Sequence, residues 1–101
     1  MVESIAIETR PEATIEAAAL LGVVADPARL RILTRLAAEG TVCVCNLQGD
    51  PAIAGNLLSY HLKVLRDAGL VTSARRGRWV DYTMARDALA RLHDALPAVG
   101  R

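Results

Sequence analysis

The sequence has few of the residues that build catalytic pockets or disulfide frameworks. Its 101 residues include no Phe, one Trp, two His and two Cys, and one residue separates the two cysteines. An enzyme pocket needs a deep, largely apolar lining, and cysteines so close together cannot link distant segments. No catalytic triad, glycine-rich phosphate loop or paired-carboxylate motif stands out. We therefore expect a small domain that is not an enzyme and whose cysteines are reduced.

Long hydrophobic runs and a strong net charge are also missing. The longest apolar stretch, residues 17–25, has about half of the roughly 20 residues that a membrane span needs. No basic run precedes an apolar segment at the N-terminus, so we expect no secretion signal, no membrane partner and a cytoplasmic location. Because the net charge is only +1, any affinity for nucleic acid must come from a local patch.

The hydrophobic pattern predicts a single, mainly helical domain. Proline or an Asp-Pro pair begins the first two helices, at Pro11 and Asp26, and Gly40 and Gly69 end the second and third. Alternating residues around Gly77 predict a β-hairpin. The predicted elements are helices at 11–24, 26–40, about 54–68 and about 86–96, a short segment at 41–48 broken by residues 49–51, and a hairpin at about 71–84. This order outlines a winged helix-turn-helix at residues 10–97, with a flexible lead-in at 1–9 and a tail at 98–101.

The helix at 54–68 carries a polar arc suited to DNA. Hydrogen-bonding side chains alternate there with cations, as base edges flanked by phosphates require. Asn56 and Ser59 would reach bases, and Tyr60 would contact sugar or phosphate. The cations that would neutralise phosphates are Lys63 and Arg66 on the helix and Arg75, Arg76 and Arg78 on the hairpin.

Charge and polarity divide this region into two sides. Residues 59–82 hold five basic and two acidic residues, so the positive charge is concentrated there although the chain is nearly neutral. A charged helix face is often merely solvated, but the arginine-bearing hairpin beside it favours DNA binding. His61 lies on the opposite, apolar arc with Leu57 and Val64, which predicts a packing residue rather than a ligand.

Four segments strongly resemble the ArsR/SmtB family of bacterial metal-responsive repressors. They are ADPARLRIL at 25–33, VCVCNL at 42–47, SYHLKVLRDAGLV at 59–71 and RRGRWVDYTM at 75–84. The resemblance implies a homodimer joined by the first and last helices, which binds an imperfect inverted-repeat operator in double-stranded DNA and is released by an inducer. The first helix, apolar on every face over residues 17–25, agrees with a partner subunit on one side.

The chain departs from the family pattern in two places. Relatives usually have Ser-Gln-Pro-Thr at the start of the recognition helix, where residues 54–57 are AGNL. Two hydrogen-bonding side chains are thereby lost, so the operator is expected to be atypical or read with lower specificity. The preceding helix is interrupted by residues 49–51, where relatives continue with Ala and Leu.

Cys43 and Cys45 coincide with the cysteine motif of arsenic-, antimony- and cadmium-sensing relatives. Thiolates select soft ions, so the resemblance implies arsenite, antimonite or another soft metal ion as inducer, and no cofactor is expected for folding. In a regular helix the two thiols would diverge, whereas an extended or frayed first turn would put them on one side. Gln48 stands where a third cysteine follows in some relatives. The alternative is that both cysteines are small packing residues.

The sequence leaves alternatives to an ion bound at the two cysteines. Zinc sensors of the family pair Asp and His on the last helix, but here Leu89 follows Asp87 where a histidine is expected. His93 and Asp94 have the wrong spacing for that site, yet could form a nickel-type site with a partner chain. Oxidation of the two thiols, or a winged helix that acts mainly through a partner protein, are the remaining alternatives.

Overall fold

The computed structural model describes residues 11–48 and 55–97 as a mainly helical winged helix-turn-helix with one small antiparallel sheet. The strands lie in the order β1-β3-β2. The predicted lead-in at 1–9, the break at 49–51, the position of Ala54 and the tail at 98–101 lie outside the described residues. The elements are α1 Pro11–Val24, α2 Pro27–Glu39, β1 Thr41–Cys43, α3 Val44–Leu47, α4 Gly55–Asp67, β2 Val71–Arg76, β3 Trp79–Met84 and α5 Ala88–Ala95.

The predicted cap and glycine stop of α2 are confirmed. The Asp26 carboxylate accepts hydrogen bonds from the backbone N–H groups of Ala28 and Arg29 at 2.8 and 3.1 Å, and Pro27 occupies the first turn. These bonds satisfy donors that have no partner within the helix. Gly40, with φ at 86°, ends the helix in a conformation that favours glycine.

The sheet has one strand more than the predicted two-stranded hairpin. Thr41–Cys43 forms β1 and pairs with β3, with Val42 opposite Tyr82, before the chain enters the single turn of α3. Three residues are too few to show a strand period, so this strand exists because β3 offers it a hydrogen-bonding edge. The hairpin itself is confirmed, with Arg76 opposite Trp79 and a positive φ of 63° at Gly77 in the turn.

One hydrophobic core joins the helices to the sheet. Leu58, Leu62 and Leu65 are buried on the inner side of α4, as their spacing predicts. The remaining buried members of this core are Ile32, Leu33, Leu36, Val42, Leu47, Leu70, Val71, Tyr82 and Ala88. None of the described helices is both long and apolar enough to cross a membrane.

Helix α1 contributes no fully buried residue to the single chain. Leu20, Val23 and Val24 pack against the core from one side, while Ile15 on α1 is 67% exposed. Leu89 on α5 and Leu96, just after its last residue, are also more than half exposed. The two helices at the ends of the fold therefore pack on one another and leave apolar side chains uncovered.

Candidate nucleic-acid interface and thiol pair

The polar arc of α4 lies on the surface. Its exposed members are Asn56, Ser59, Tyr60, Lys63 and Arg66. Tyr60 is 56% exposed, and its ring lies 5.5 Å from that of His61, measured between centroids. The Asn56 side-chain oxygen accepts a hydrogen bond from the backbone N–H of Leu57 at 3.0 Å, which leaves its amide N–H groups as donors.

The hairpin that follows α4 presents the three predicted arginines, Arg75, Arg76 and Arg78, and all three are exposed. The Arg78 guanidinium lies 5.1 Å from the ring centroid of Trp79, within the range of a cation–π contact. Sequence reasoning did not single out Trp79, which is 39% exposed beside the turn. Its position two residues after the hairpin glycine was the available signal.

The cations of this region differ in how strongly they are held. Lys63 Nζ lies 2.8 Å from Asp67 Oδ2, but both side chains are more than 60% exposed, so this ion pair is weak and easily exchanged. Arg76 donates two hydrogen bonds to Asp81, at 2.9 and 3.1 Å, and the Asp81 side chain is only 19% exposed. The bonds from Arg76 hold the pKa of Asp81 below its ordinary value.

The other three cations are electrostatically more available. Among the described residues, Arg66, Arg75 and Arg78 form no ion pair within 4.0 Å of a carboxylate. The contact that Arg75 makes with described residues is a long one of 3.5 Å, from Nη1 to the carbonyl oxygen of Gly77. These three arginines can therefore meet phosphate without first breaking an ion pair.

His61 faces the interior, as predicted, and Arg29 satisfies it. The ring is 8% exposed, and its Nδ1 atom lies 3.2 Å from Arg29 Nη1. Because a guanidinium only donates, Nδ1 must accept in this contact. Arg29 Nε also donates to the Val23 carbonyl at 2.6 Å, so one side chain links α1, α2 and α4. The expectation that Leu57 shares this buried arc is wrong, since Leu57 is 50% exposed at the outer edge of the first turn.

The two thiols adjoin because the chain changes from strand to helix between them. Cys43 ends β1 with φ −66° and ψ 141°, while Cys45 lies in the first turn of α3. Their Sγ atoms are 2.6 Å apart, and Cys43 Sγ also accepts from the Cys45 backbone N–H at 3.4 Å. Both cysteines are free thiols. The expected extended geometry, with both sulfurs on one side, is therefore present.

The shared hydrogen bond makes the two thiols unequal. Donation from the Cys45 thiol lowers the pKa of Cys43 below its ordinary value of 9.0, and Arg76 contributes in the same direction. The same bond raises the pKa of Cys45, because ionising Cys45 would remove the donated proton. Of the two thiols, Cys43 is therefore the one that ionises at lower pH.

The two thiols are not part of a larger set of metal ligands in the described part of the chain. No group of three or more His, Cys, Asp and Glu residues able to hold a metal ion occurs within residues 11–48 and 55–97 of one chain. The backbone N–H of Gln48 donates to the Val44 carbonyl, so Gln48 is the C-cap that follows α3. On α5, His93 and Asp94 are exposed neighbours. A tetrahedral zinc site would need further protein ligands. Two thiolates are better suited to an ion that completes its coordination with ligands from solution.

The fold and this surface define a winged helix-turn-helix regulator, and comparisons with known proteins specify the family. The family model described as "Bacterial regulatory protein, arsR family" matches residues 26–73. The arsenical resistance operon repressor of Bacillus subtilis (strain 168) is 42% identical over 60 residues, which are 59% of this chain and 57% of that protein. The biofilm growth-associated repressor of Agrobacterium fabrum is 40% identical over 84 residues, 83% of this chain and 71% of that protein.

A solved structure points to the same family. A crystal structure described as a possible transcriptional regulator for arsenical resistance superposes with a TM-score of 0.69 at 36% identity, over 74% of this chain and 77% of that one. The chain belongs to the ArsR family of bacterial regulatory proteins. Relatives of this kind are named as repressors and regulators, in agreement with the expectation that the chain is not an enzyme. The chain spans a little over half of the length of the Bacillus subtilis relative that it matches.

Proposed function

We propose that the chain is a cytoplasmic repressor that binds an imperfect inverted-repeat operator as a homodimer and is released by a thiophilic ion. The observation that carries the DNA-binding part is the exposed polar face of α4 followed directly by the arginine-bearing hairpin. Family membership supports it. The proposed inducer is of the arsenite or antimonite type, bound at Cys43 and Cys45.

On this proposal the two DNA-binding elements have different tasks. Asn56 and Ser59 would contact base edges, and Tyr60 would contact sugar or phosphate. Arg66 and Arg75 would neutralise phosphates directly, Lys63 would do so after leaving Asp67, and Arg78 would enter the adjacent minor groove or follow its backbone. Asp81 holds Arg76 with two hydrogen bonds, so Arg76 would contribute least to the affinity for DNA of the chain without inducer.

A second copy of the chain would cover α1 and α5. Ile15 on α1 and Leu89 on α5 are exposed apolar side chains on the two helices at the ends of the fold. A two-fold axis would place two recognition helices and two hairpins on one face, which matches an inverted repeat.

The adjoining thiols support the sensing part of the proposal. Arsenite binding would replace the hydrogen bond between Cys43 and Cys45 with two sulfur–arsenic bonds. The two thiol protons would leave with two of the arsenite hydroxyl groups as water, and the third hydroxyl would stay as the exogenous ligand. Because Cys43 ends the strand that pairs with β3, a change at this thiol pair acts directly on the sheet that carries the hairpin.

Thiol oxidation is the second candidate signal, and the same 2.6 Å separation of the Sγ atoms favours it. An oxidant such as a peroxide would accept two electrons and the two thiol protons would be lost, leaving one bond between Cys43 and Cys45. This reaction would consume the same thiolates, so arsenite and oxidant would compete for one site. The His93 and Asp94 alternative for nickel would be unaffected by loss of the cysteines.

DNA binding is tested by fluorescence anisotropy with a labelled duplex from upstream of the chain's own gene and a shuffled duplex of the same composition. We expect reduced protein to prefer the natural duplex, with log Kd rising steeply with log salt concentration because several phosphates are neutralised. Equal, weak binding of both duplexes would contradict the repressor function and favour a module that acts through a partner protein.

A further inference from the structure

Helix α4, the proposed recognition helix, ends in a C-terminal cap that does not use the backbone carbonyls of Ala68 and Gly69. The N–H of Leu70 donates to the Leu65 carbonyl at 3.0 Å, and the N–H of Gly69 donates to the Arg66 carbonyl at 2.9 Å. With φ at 75° for Gly69, this is a Schellman motif, and both leucines are fully buried beside it. The carbonyls of Ala68 and Gly69 accept no hydrogen bond within this motif.

Arg91 of α5 donates a hydrogen bond to each of these two carbonyls. Its Nη1 atom donates to the Gly69 carbonyl and its Nη2 atom to the Ala68 carbonyl, each at 3.0 Å. The cation also lies at the negative end of the α4 dipole, where positive charge is favourable. A Cβ atom built at residue 69 would lie 3.0 Å from Arg91 Nη1, so the guanidinium occupies the space that glycine leaves open.

This contact lies where the two DNA-binding elements meet. Helix α4 ends at Asp67 and β2 begins at Val71, so the capped turn is the whole connection between recognition helix and hairpin. The Leu70 carbonyl, in turn, accepts from the N–H of Ala85 at 2.9 Å, which ties the turn to the segment that leads into α5. A shift of α5 would therefore move the turn through Arg91.

We propose that Arg91 is a positioning residue for DNA binding, which fixes the junction of recognition helix and hairpin to α5 without contacting DNA itself. The proposal rests on the DNA-binding function proposed above. It follows from a guanidinium that is engaged at both terminal nitrogens with backbone carbonyls and forms none of the ion pairs between described residues. Two parallel hydrogen bonds from a planar group restrict both distance and orientation, which a single ammonium group cannot do.

The test compares Arg91→Ala and Arg91→Lys with Arg86→Ala, which removes an exposed arginine just before α5. Amide hydrogen exchange of the free, full-length chain reports on the junction. In Arg91→Ala we expect exchange at Gly69 and Leu70 to accelerate about five- to tenfold, with partial recovery in Arg91→Lys and no change in Arg86→Ala. Exchange in the core of α2 should stay unchanged.

DNA affinity on the same promoter duplex reports on positioning. We expect Arg91→Ala to weaken binding about tenfold while the slope of log Kd against log salt concentration stays unchanged, because no phosphate contact is lost. A slope reduced by about 0.9 would show that Arg91 neutralises a phosphate itself and would overturn the proposal. Unchanged exchange at Gly69 and Leu70, or accelerated exchange throughout the chain, would also overturn it. If the unmodified chain fails to prefer the promoter duplex, the repressor function is wrong, and the exchange data still decide whether Arg91 fixes the junction.

Discussion

Asp81 lies directly opposite Cys43 in the antiparallel pairing of β3 with β1. The same carboxylate accepts both hydrogen bonds of Arg76, from the neighbouring strand of the hairpin. Asp81 raises the pKa of Arg76 most, and the two thiols add to this to a smaller extent. The thiol pair and one of the hairpin arginines are thus coupled electrostatically, and Asp81 interacts with both Arg76 and Cys43.

Replacing Asp81 by Asn should release Arg76 towards DNA. The uncharged amide of the Asp81→Asn variant cannot form an ion pair with the guanidinium of Arg76. Arg76 would therefore become available to a phosphate. We expect tighter DNA binding, with a slope of log Kd against log salt concentration steeper by about 0.9 for the added phosphate contact.

Asp87→Asn is the matched control, because it changes the net charge equally at an exposed residue whose side chain makes no capping bond. Equal effects of the two substitutions in anisotropy measurements would mean that net charge alone matters and that Asp81 does not restrain Arg76.

The lowered pKa of Cys43 should depend on the Cys45 thiol. Without that donor the Cys43 thiolate loses its largest stabilising contact, so in Cys45→Ala its pKa should rise and the thiolate should appear at higher pH. Cys45→Ser, which keeps a hydroxyl donor, should lie between Cys45→Ala and the unmodified chain. Titration of the thiolate ultraviolet absorbance measures this, and an unchanged or lower midpoint in Cys45→Ala would contradict it.

Arg29 and His61 should contribute to stability as a pair. Arg29→Met leaves the buried Nδ1 atom of His61 without its donor, and we expect the free energy of unfolding to fall by about 1–3 kcal/mol. Adding His61→Leu removes the unsatisfied group and should recover part of this loss. Urea denaturation of the two single variants and the double variant measures the coupling; strictly additive losses would show that the contact contributes nothing.

Gly69, just before the hairpin, and Gly77, in its turn, both have positive φ but should differ in their tolerance of a side chain. Gly77→Ala meets no atom within 4 Å and should cost about 1–2 kcal/mol for its left-handed backbone alone. Gly69→Ala has the same backbone cost and must also displace Arg91, so it should unfold at lower urea concentration. Combining Gly69→Ala with Arg91→Ala should remove the extra cost of the clash, and a Gly69→Ala variant as stable as Gly77→Ala would contradict this reasoning.

Features set by local chemistry were predictable from the sequence. The start of α2 at Asp26-Pro27, its end at Gly40 and the turn at Gly77 follow from capping and backbone preferences of single residues. The apolar spacing of α4 predicted its buried leucines, and the isolated His61 among them predicted a packing role. The last helix, Ala88–Ala95, is shorter than the predicted span of about 86–96, and Asp87 stands before it without a side-chain cap.

Features set by partners distant in sequence were not predictable. Strand β1 depends on pairing with β3, some 40 residues later, and its three residues show no period of their own. Arg91 binds backbone carbonyls 22 and 23 residues away, which no side-chain pattern reveals. The restraint of Arg76 by Asp81 likewise depends on strand register, so the sequence indicated a cluster of equivalent cations where the structure has unequal ones.

The central claim is tested most directly by arsenite titration of the complex between reduced protein and its promoter duplex. Anisotropy at fixed salt would compare the unmodified chain with the variant that carries Cys43→Ser and Cys45→Ser, using cadmium, zinc and nickel as further ions. We expect both proteins to bind DNA equally well and arsenite or cadmium to release only the unmodified chain. Release of the double variant by arsenite, or an unmodified chain indifferent to arsenite and cadmium, would contradict sensing at Cys43 and Cys45.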